Sequence, residues 1–423
     1  MEDINNMNGI SQPITNNAIA NSMPVPNITV IDSIMGSGKT SWAIEYMKKK
    51  PTNNFLYITP FLDECSRISE ACLPEKGFMQ PHNYGSGKLK NINLLFQNEQ
   101  DIVSTHELFK HLNEESRRAL KDKHYTLILD EVLDVIEPIP IKNSDLKILI
   151  DVFFDIDKNG VVHWKPEHSD YDGAFNQIQG IAESNSLVCI NDSNLLWRYD
   201  PAIFSLFDEV FVMTYFFDGS IMKYYFDAYN IKYRKASVID GKLFGYTPED
   251  KIKIRSLINL YQGKITRSMR QKQTCMSKAW YANSANKNNI LKVKNNLYNY
   301  LRNICHAKSE SVLWTTYIDS KNKITPKGYK KKFLPFNCRS TNKYKDAYNL
   351  AYAVNIYFHP TVLIFLCSQG VKVNQDKYAL ATMLQWVWRS RIRNGESINL
   401  YILPDRMRNL FIKWMNNPDS SLE

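Results

Sequence analysis

From Ile28 to Met213 the chain repeats one pattern, a short apolar run, a polar or glycine break, and then apolar positions spaced three and four apart. The runs Ile28–Ile31, Phe55–Ile58, one near Ile102, Tyr125–Leu129, Leu187–Ile190 and Val210–Met213 predict strands. Helices are predicted from Thr40 to about Lys49, from Leu62 to Ala71, and from His106 onward. Short strands alternating with helices predict an α/β fold with a mostly parallel sheet covered on both faces. The Asp-rich stretch Ile141–Glu183 interrupts the alternation and reads as an insertion in the first lobe. Further on the pattern predicts a helix Asn289–Cys305, a strand Ser311–Thr316, a helix Tyr344–Phe358, a strand Val362–Leu366, a helix Tyr378–Arg391 and a strand Ile398–Ile402. A second sheet of the same class is therefore expected. Residues 1–25 are polar and Asn-rich without apolar period, so they read as a flexible arm. The expected organisation is an arm 1–25, a first lobe 26–235 and a second lobe 236–423.

Length and composition agree with two such lobes: 423 residues exceed one typical domain, and 44 % hydrophobic residues provide ample apolar surface for cores. The longest apolar run, Val362–Cys367, is far too short for the roughly 20 residues that cross a bilayer. The start of the chain lacks the basic-then-apolar order of a signal sequence. A cytoplasmic protein with no membrane partner is expected. Seven cysteines, Cys65, Cys72, Cys189, Cys275, Cys305, Cys338 and Cys367, are scattered without a C-x-x-C pair and read as reduced, buried thiols.

Charge is polarised along the chain. Lys251–Leu350 holds 22 Lys or Arg against three acids, Glu310, Asp319 and Asp346, and no acid lies between Lys251 and Ser309. Tyr261, Trp280, Tyr281, Tyr298 and Tyr300 are interleaved among these bases. Clustered cations gain affinity for a phosphate backbone by releasing its counterions, and aromatic rings can stack on unpaired bases. This points to a nucleic-acid partner, with Lys264, Arg267 and Arg270 as phosphate contacts. The plainer alternative is a solvated basic face over core aromatics.

The strongest local signal is Ile28-Thr-Val-Ile-Asp-Ser33-Ile-Met35-Gly36-Ser37-Gly38-Lys39-Thr40, an apolar strand running into a glycine loop and then a helix. Glycines let backbone N–H groups curl round a phosphate, Lys39 neutralises terminal phosphates, and Thr40 offers a hydroxyl to magnesium at a helix N-terminus. Ser33 stands where the usual pattern has its first glycine. A second string, Gly85-Ser-Gly-Lys88, follows no strand and ends in Leu89, so it reads as a loop. Leu127-Ile-Leu-Asp130-Glu131 is an apolar strand ending in adjacent carboxylates. Asp130 at the tip can hold magnesium, and Glu131 can orient or deprotonate an attacking water. That pairing favours ATP hydrolysis, with ATP and Mg²⁺ as cofactors. Asp155-Ile-Asp-Lys-Asn-Gly160 begins like a calcium loop, but Pro166 takes the place of the closing Glu, so it reads as a hairpin turn.

Taken together, these residues resemble the superfamily 2 helicases, in particular phage-encoded DEAD/DEAH-like helicases and herpesvirus-type replication origin-binding proteins. Met35–Thr40 is similar to their motif I, Asp130-Glu-Val-Leu133 to motif II, and Tyr57-Ile-Thr59-Pro60-Phe-Leu-Asp-Glu64 to motif Ia. Val103-Ser-Thr105-His106 resembles the later strand-binding segment of the first lobe, and Thr214–Ser220 sits where motif III is expected. Leu313-Trp-Thr-Thr-Tyr317 looks like motif IV and Cys338-Arg-Ser-Thr-Asn342 like motif V. Gln385-Trp-Val-Trp388-Arg389-Ser-Arg391-Ile-Arg393 resembles motif VI, with Trp388 in place of a Gly. Arg389 matches a finger position directly; the second finger is Arg391 or Arg393. Several segments have plainer alternatives: Thr59–Pro60 as a strand end, His106 as a helix N-terminal residue, Asp218–Gly219 as a turn, and Trp314 as core.

The resemblance implies two tandem RecA-like lobes with ATP and magnesium between them and a single or partly duplex strand, DNA rather than RNA, crossing both. It implies phosphate contacts at Ser33, Met35, Gly36, Ser37, Gly38, Lys39 and Thr40, metal contacts at Thr40 and Asp130, and chemistry at Lys39, Asp130, Glu131, Gln385, Arg389 and Arg391 or Arg393. Strand contacts are implied at Thr59, Pro60, Thr105 and His106. The implied activity is an ATP-driven helicase or translocase in phage-type DNA replication, with replication proteins as further partners. An ATP-switched origin-binding or loader protein is the alternative. A packaging nuclease lacks its acidic metal cluster in the acid-poor second lobe, and a nucleoside kinase leaves the basic lobe unexplained.

Overall fold

The computed structural model describes residues 27–83, 87–249, 251–263, 273–338 and 343–417. The expected arm 1–25, Lys264, Arg267, Arg270 and residues 339–342 of the motif V segment lie outside them. Four strands open the chain, β1 (Asn27–Asp32), β2 (Asn54–Thr59), β3 (Ile102–Thr105) and β4 (Tyr125–Asp130). An insertion then carries β5 (Ile136–Ile139), β6 (Phe154–Ile156), β7 (Val162–Trp164), β8 (Leu187–Ile190) and β9 (Asn194–Arg198). The first sheet resumes with β10 (Glu209–Thr214), β11 (Arg234–Ile239) and β12 (Lys242–Gly245). Its order is β12-β11-β1-β10-β4-β2-β3, parallel except for the edge hairpin β11–β12. The second sheet is formed by β13 (Ile258–Leu260), β14 (Val312–Thr315), β15 (Asn349–Tyr352) and β16 (Ile398–Ile402) in the parallel order β13-β16-β15-β14. The α/β class with two parallel-sheet lobes is thus as the sequence pattern predicts.

In the first sheet alternate residues serve opposite layers. Ile31, Tyr57, Ile128 and Met213 pack with Trp42, Ala43 and Met47 of helix Lys39–Lys48, while Val30, Leu56, Leu129 and Val212 face a second apolar cluster. Central strands are buried on both faces, so they read in sequence as unbroken apolar runs. All parallel strands end on one edge. The loops after β1, β4 and β10 therefore converge there, the usual place for a ligand in an open α/β sheet.

Five expectations are corrected. First, Leu187–Ile190 does not extend the parallel sheet; it lies in a small antiparallel sheet β5-β9-β8, and the insertion spans residues 136–198, wider than Ile141–Glu183. The Asp155–Gly160 segment is a turn of the β6–β7 hairpin, as expected. Second, Tyr344–Phe358 is not a helix: Asn349–Tyr352 is a fully buried strand between β14 and β16. Third, Val362–Leu366 is not a strand but the middle of helix Pro360–Ser368, with proline in its first turn. Short apolar runs carry no period that separates helix from strand, and here burial on both faces or on one decides. Fourth, Trp280, Tyr281 and Tyr300 are at most 7 % exposed and build the second lobe's core, and so does Trp314. They are not available for base stacking. Fifth, the boundary expected near residue 235 falls inside the first sheet, whose edge strand ends at Gly245.

The lobes are joined by apolar packing as well as by the cleft. Phe358, Val362, Phe365, Leu366 and Val371 follow β15 in sequence yet are buried in the cluster that holds Leu196, Trp197, Phe204 and Tyr224 of the first lobe. The Tyr224 hydroxyl donates to the Asn374 carbonyl at 3.0 Å and accepts its N–H at 3.2 Å. Helix Gln375–Val387 starts from this anchored point and runs to the cleft.

Candidate functional site

Strand β1 delivers the loop Ser33–Gly38 to the ligand edge of the first sheet. Gly36 and Gly38 have φ of 89° and 87°, backbone geometry that favours glycine. A Cβ on Gly36 would come within 2.8 Å of the Arg393 carbonyl oxygen, and one on Gly38 within 3.2 Å of the Gly241 nitrogen. The loop is thus clasped between the second lobe and the β11–β12 turn. Ser33 is not a loop residue in the glycine sense. Its N–H donates to the Thr214 carbonyl at 3.0 Å and its hydroxyl accepts the Val238 N–H at 2.7 Å, which ties β1 to both neighbouring strands. A glycine there would lose the second tie.

Lys39 opens the helix and folds back, donating Nζ to the carbonyls of Ser33 at 2.5 Å and Ile34 at 3.0 Å. Burial pulls its ammonium down to about 8, against the pull of nearby Asp130, Asp32 and Glu131. Burial also pushes Asp130 up to about 6, helped by the neighbouring Glu131 and opposed by Lys39. In the glycine loop the Ser37 hydroxyl is buried without a hydrogen-bond partner among the described residues. Glycine backbone in the left-handed region, a cation, an orphaned hydroxyl and a carboxylate at a strand tip make a donor set suited to a magnesium-bound polyphosphate, with Thr40 and Asp130 as the groups able to hold the metal.

Glu131 adopts φ 75°, a conformation that costs a residue with a side chain on the order of 1 kcal/mol or more. Its N–H donates to the Met213 carbonyl at 2.9 Å, so β10 holds the turn. Its carboxylate accepts from Arg389 Nη2 at 2.8 Å, a contact between residues 258 positions apart and from different lobes. Arg389 is 6 % exposed. The two residues sit in one cleft of about 410 Å³ lined also by Met35, Gly36, Gly38, Lys39, Thr40, Asp130, Gln385, Trp388 and Arg393.

The two candidates for a second finger separate clearly. Arg393 lines the cleft, where burial and the nearby Arg389 charge lower its affinity for its proton. Arg391 is turned away: it donates Nε to the Ser397 carbonyl at 2.6 Å and lies over the Tyr348 ring at 4.1 Å. Helix Gln375–Val387 ends four residues before Arg391, and the 3₁₀ turn Arg391–Asn394 alternates the two arginines between faces. Trp388, in the glycine place of motif VI, packs against Tyr215 at 6.4 Å and Trp414 at 5.9 Å between ring centres. Thr59 and Thr105 are paired in register at the ends of β2 and β3, on the same edge as Asp130. Thr59 is fully buried, and Thr105 caps the following helix by accepting the Leu108 N–H at 3.3 Å. Pro60 follows Thr59 half-buried. His106 hydrogen-bonds the Asp130 carbonyl through Nε2 at 3.0 Å.

Two lining residues, Ser41 and Arg67, escaped the sequence reading, while Glu64, Thr214 and Tyr215 lie in the segments likened to motifs Ia and III without having been singled out as site residues. Asp32 was not singled out either. Its carboxylate accepts the N–H groups of Phe216 at 2.7 Å and Phe217 at 3.1 Å, with Lys235 at 3.7 Å, so it fixes the loop after β10 against the start of the glycine loop. Burial pushes it up to about 6. An acid closing an apolar strand just before the glycine loop is the signal that could have found it.

Comparison with known proteins adds the lineage. Residues 252–415 match the YonV C-terminal Rossmann-like domain and residues 136–197 the YonV middle domain, the second coinciding with the β5–β9 insertion. The SPbeta prophage-derived uncharacterized protein YonV of Bacillus subtilis (strain 168) is 36 % identical over 411 residues, which are 92 % of this chain and 99 % of that protein. Among solved structures, an XPD structure in its apo form aligns with a TM-score of 0.51 at 12 % identity, covering 92 % of this chain and 95 % of that one. A second XPD helicase structure aligns with a TM-score of 0.47 at 12 % identity, over 92 % and 94 %. At such identity the XPD likeness is one of fold.

Proposed function

The chain belongs to the YonV family, and from that premise and its helicase-like fold we propose that it is an ATP hydrolase that moves along or unwinds nucleic acid. The observation that carries the reading is the contact of Arg389 with Glu131 in the cleft that also holds Lys39 and Asp130. A lone glycine loop needs no partner from a second lobe. Here the second lobe delivers a buried guanidinium to the acid of the first, which suits hydrolysis governed by lobe closure.

In this reading the loop N–H groups and Lys39 bind the phosphates of ATP, and Thr40 and Asp130 hold the magnesium, which supplies charge neutralisation when bound. Glu131 takes the proton of the attacking water, and Arg389 and Arg393 stabilise charge on the departing phosphates. Gln385, one turn before Arg389, completes the second lobe's side. The strand lies across the edge at Pro60 and Thr105, with Thr59 too buried to touch it, and over the basic second lobe, where Lys264, Arg267 and Arg270 contact phosphates. A prophage-derived relative favours service in phage DNA replication. The test is ATP hydrolysis by the whole chain with and without single-stranded DNA or RNA, alongside Glu131→Gln. Strand-stimulated turnover that Glu131→Gln abolishes is expected. No turnover under any of these conditions would overturn the reading, and nucleotide binding that alters strand affinity without turnover would mark an ATP-switched binding protein.

A further inference from the structure

We propose that His106 is a positioning residue for the hydrolytic centre, pinning the Asp130–Glu131 peptide so that the Glu131 carboxylate faces the cleft. The inference rests on the hydrolase reading above. The carbonyl of Asp130 and the N–H of Glu131 are two ends of one planar peptide unit, so neither can turn without the other. One end is held by His106 Nε2 at 3.0 Å and the other by the Met213 carbonyl at 2.9 Å. A carbonyl oxygen only accepts, so Nε2 carries the hydrogen. A unit held at both ends cannot flip, and Glu131 stays at φ 75° although side chains disfavour that region.

The holder is itself well placed. His106 is the first residue of helix His106–Lys110, and Thr105 caps that helix directly before it. The register of Thr59 with Thr105 sets this cap at the ligand edge of the sheet, with β2 between it and the tip of β4. A segment expected to contact the strand thus directs its imidazole at the peptide carbonyl that precedes the hydrolytic acid, one residue from the edge where a strand is proposed to lie. Strand contact at Thr105 and the orientation of Glu131 become mechanically adjacent.

The experiment compares His106→Leu, which removes the donor, with His106→Gln, which keeps an amide N–H at similar reach. Two readouts are taken: kcat and KM for ATP, and hydrogen–deuterium exchange of the segment 128–134 without nucleotide. His106→Leu is expected to lower kcat by roughly 10²-fold, the scale of a small misplacement of a reacting group, with KM little changed. Exchange at the Glu131 amide should quicken in the same variant. His106→Gln should recover most of both. Parental kcat and exchange in His106→Leu would overturn the proposal, as would equal losses in Leu and Gln variants, which would make the imidazole a space filler. If the parent chain hydrolyses no ATP, the functional reading falls, while the exchange comparison still decides whether His106 pins the peptide.

Discussion

Removing the Arg389 guanidinium separates a finger that acts during hydrolysis from an arginine that only glues the lobes together. Its side chain is 7 % exposed and that of Glu131 19 %, with 2.8 Å between the paired atoms. As a finger, Arg389 acts on charge that develops on the departing phosphate, so Arg389→Ala should lower kcat by roughly 10³ to 10⁵. At 1.36 kcal/mol per decade this is about 4–7 kcal/mol of transition-state stabilisation. Nucleotide affinity should change far less, because the glycine loop and Lys39 make the ground-state contacts. Stability should fall too. Breaking a fully buried pair from one side costs about 3–5 kcal/mol, but Glu131 faces an open cleft and can regain water, so about 1–2 kcal/mol is expected. Arg389→Lys keeps the charge and should restore most of the stability while leaving turnover low, since an ammonium lacks the planar fork. The assay is steady-state ATP hydrolysis at saturating nucleotide, equilibrium nucleotide titration and thermal melting on the same three proteins. Turnover of Arg389→Ala within a few-fold of the parent, with a melting shift of the stated size, would refute the finger and leave a structural arginine.

Other outcomes follow from the same geometry. The pH profile of kcat/KM should be bell-shaped, rising through about 6 as Asp130 ionises and falling through about 8 as Lys39 loses its proton; a flat profile across both limbs would detach these groups from the reaction. Because burial holds Asp130 above its ordinary carboxylate range, its charged form opposes folding above pH 6, so Asp130→Asn should melt higher than the parent at pH 8 and lose that advantage toward pH 4. Phe365→Ala should destabilise the chain by about 3–5 kcal/mol in denaturant titrations, since the ring is 2 % exposed in the cluster shared with the first lobe; a loss below about 1 kcal/mol would contradict that burial. Binding of single strands should weaken with salt at a slope near −0.7 per phosphate contact, about −3 to −4 for four to six contacts, and the joint loss of Lys264, Arg267 and Arg270 should flatten it; identical slopes would move the strand path elsewhere.

Much of the first lobe was legible because its signals are local. A buried parallel strand is an apolar run, a glycine loop between strand and helix needs φ values that glycine supplies, and Asp130-Glu131 closes a strand in plain view. Lys39, Thr40, Asp130 and Glu131, which all line the cleft, could be marked on the chain for that reason, whereas Ser33 ties strands together instead. The same rule explains the two exchanged elements of the second lobe. Asn349–Tyr352 and Val362–Leu366 are both short and mostly apolar, and local sequence does not say which of them is covered on two faces.

What the amino-acid order determined by itself is the α/β class, the glycine loop, the acidic strand end and the charge polarity of the two halves, all properties of neighbours in the chain. What only the tertiary structure decided depends on residues far apart. Arg393 and not Arg391 reaches the cleft because a 3₁₀ turn sets their faces, and Trp280, Tyr281 and Tyr300 are core because helices from one stretch close over the second sheet. Helix Pro360–Ser368 belongs to the first lobe's packing although it follows β15. His106 meets a carbonyl 24 positions away and Arg389 an acid 258 positions away. Contacts of that kind are set by sheet order and lobe docking, which arise from the burial of many side chains at once and leave no mark in any short window of sequence.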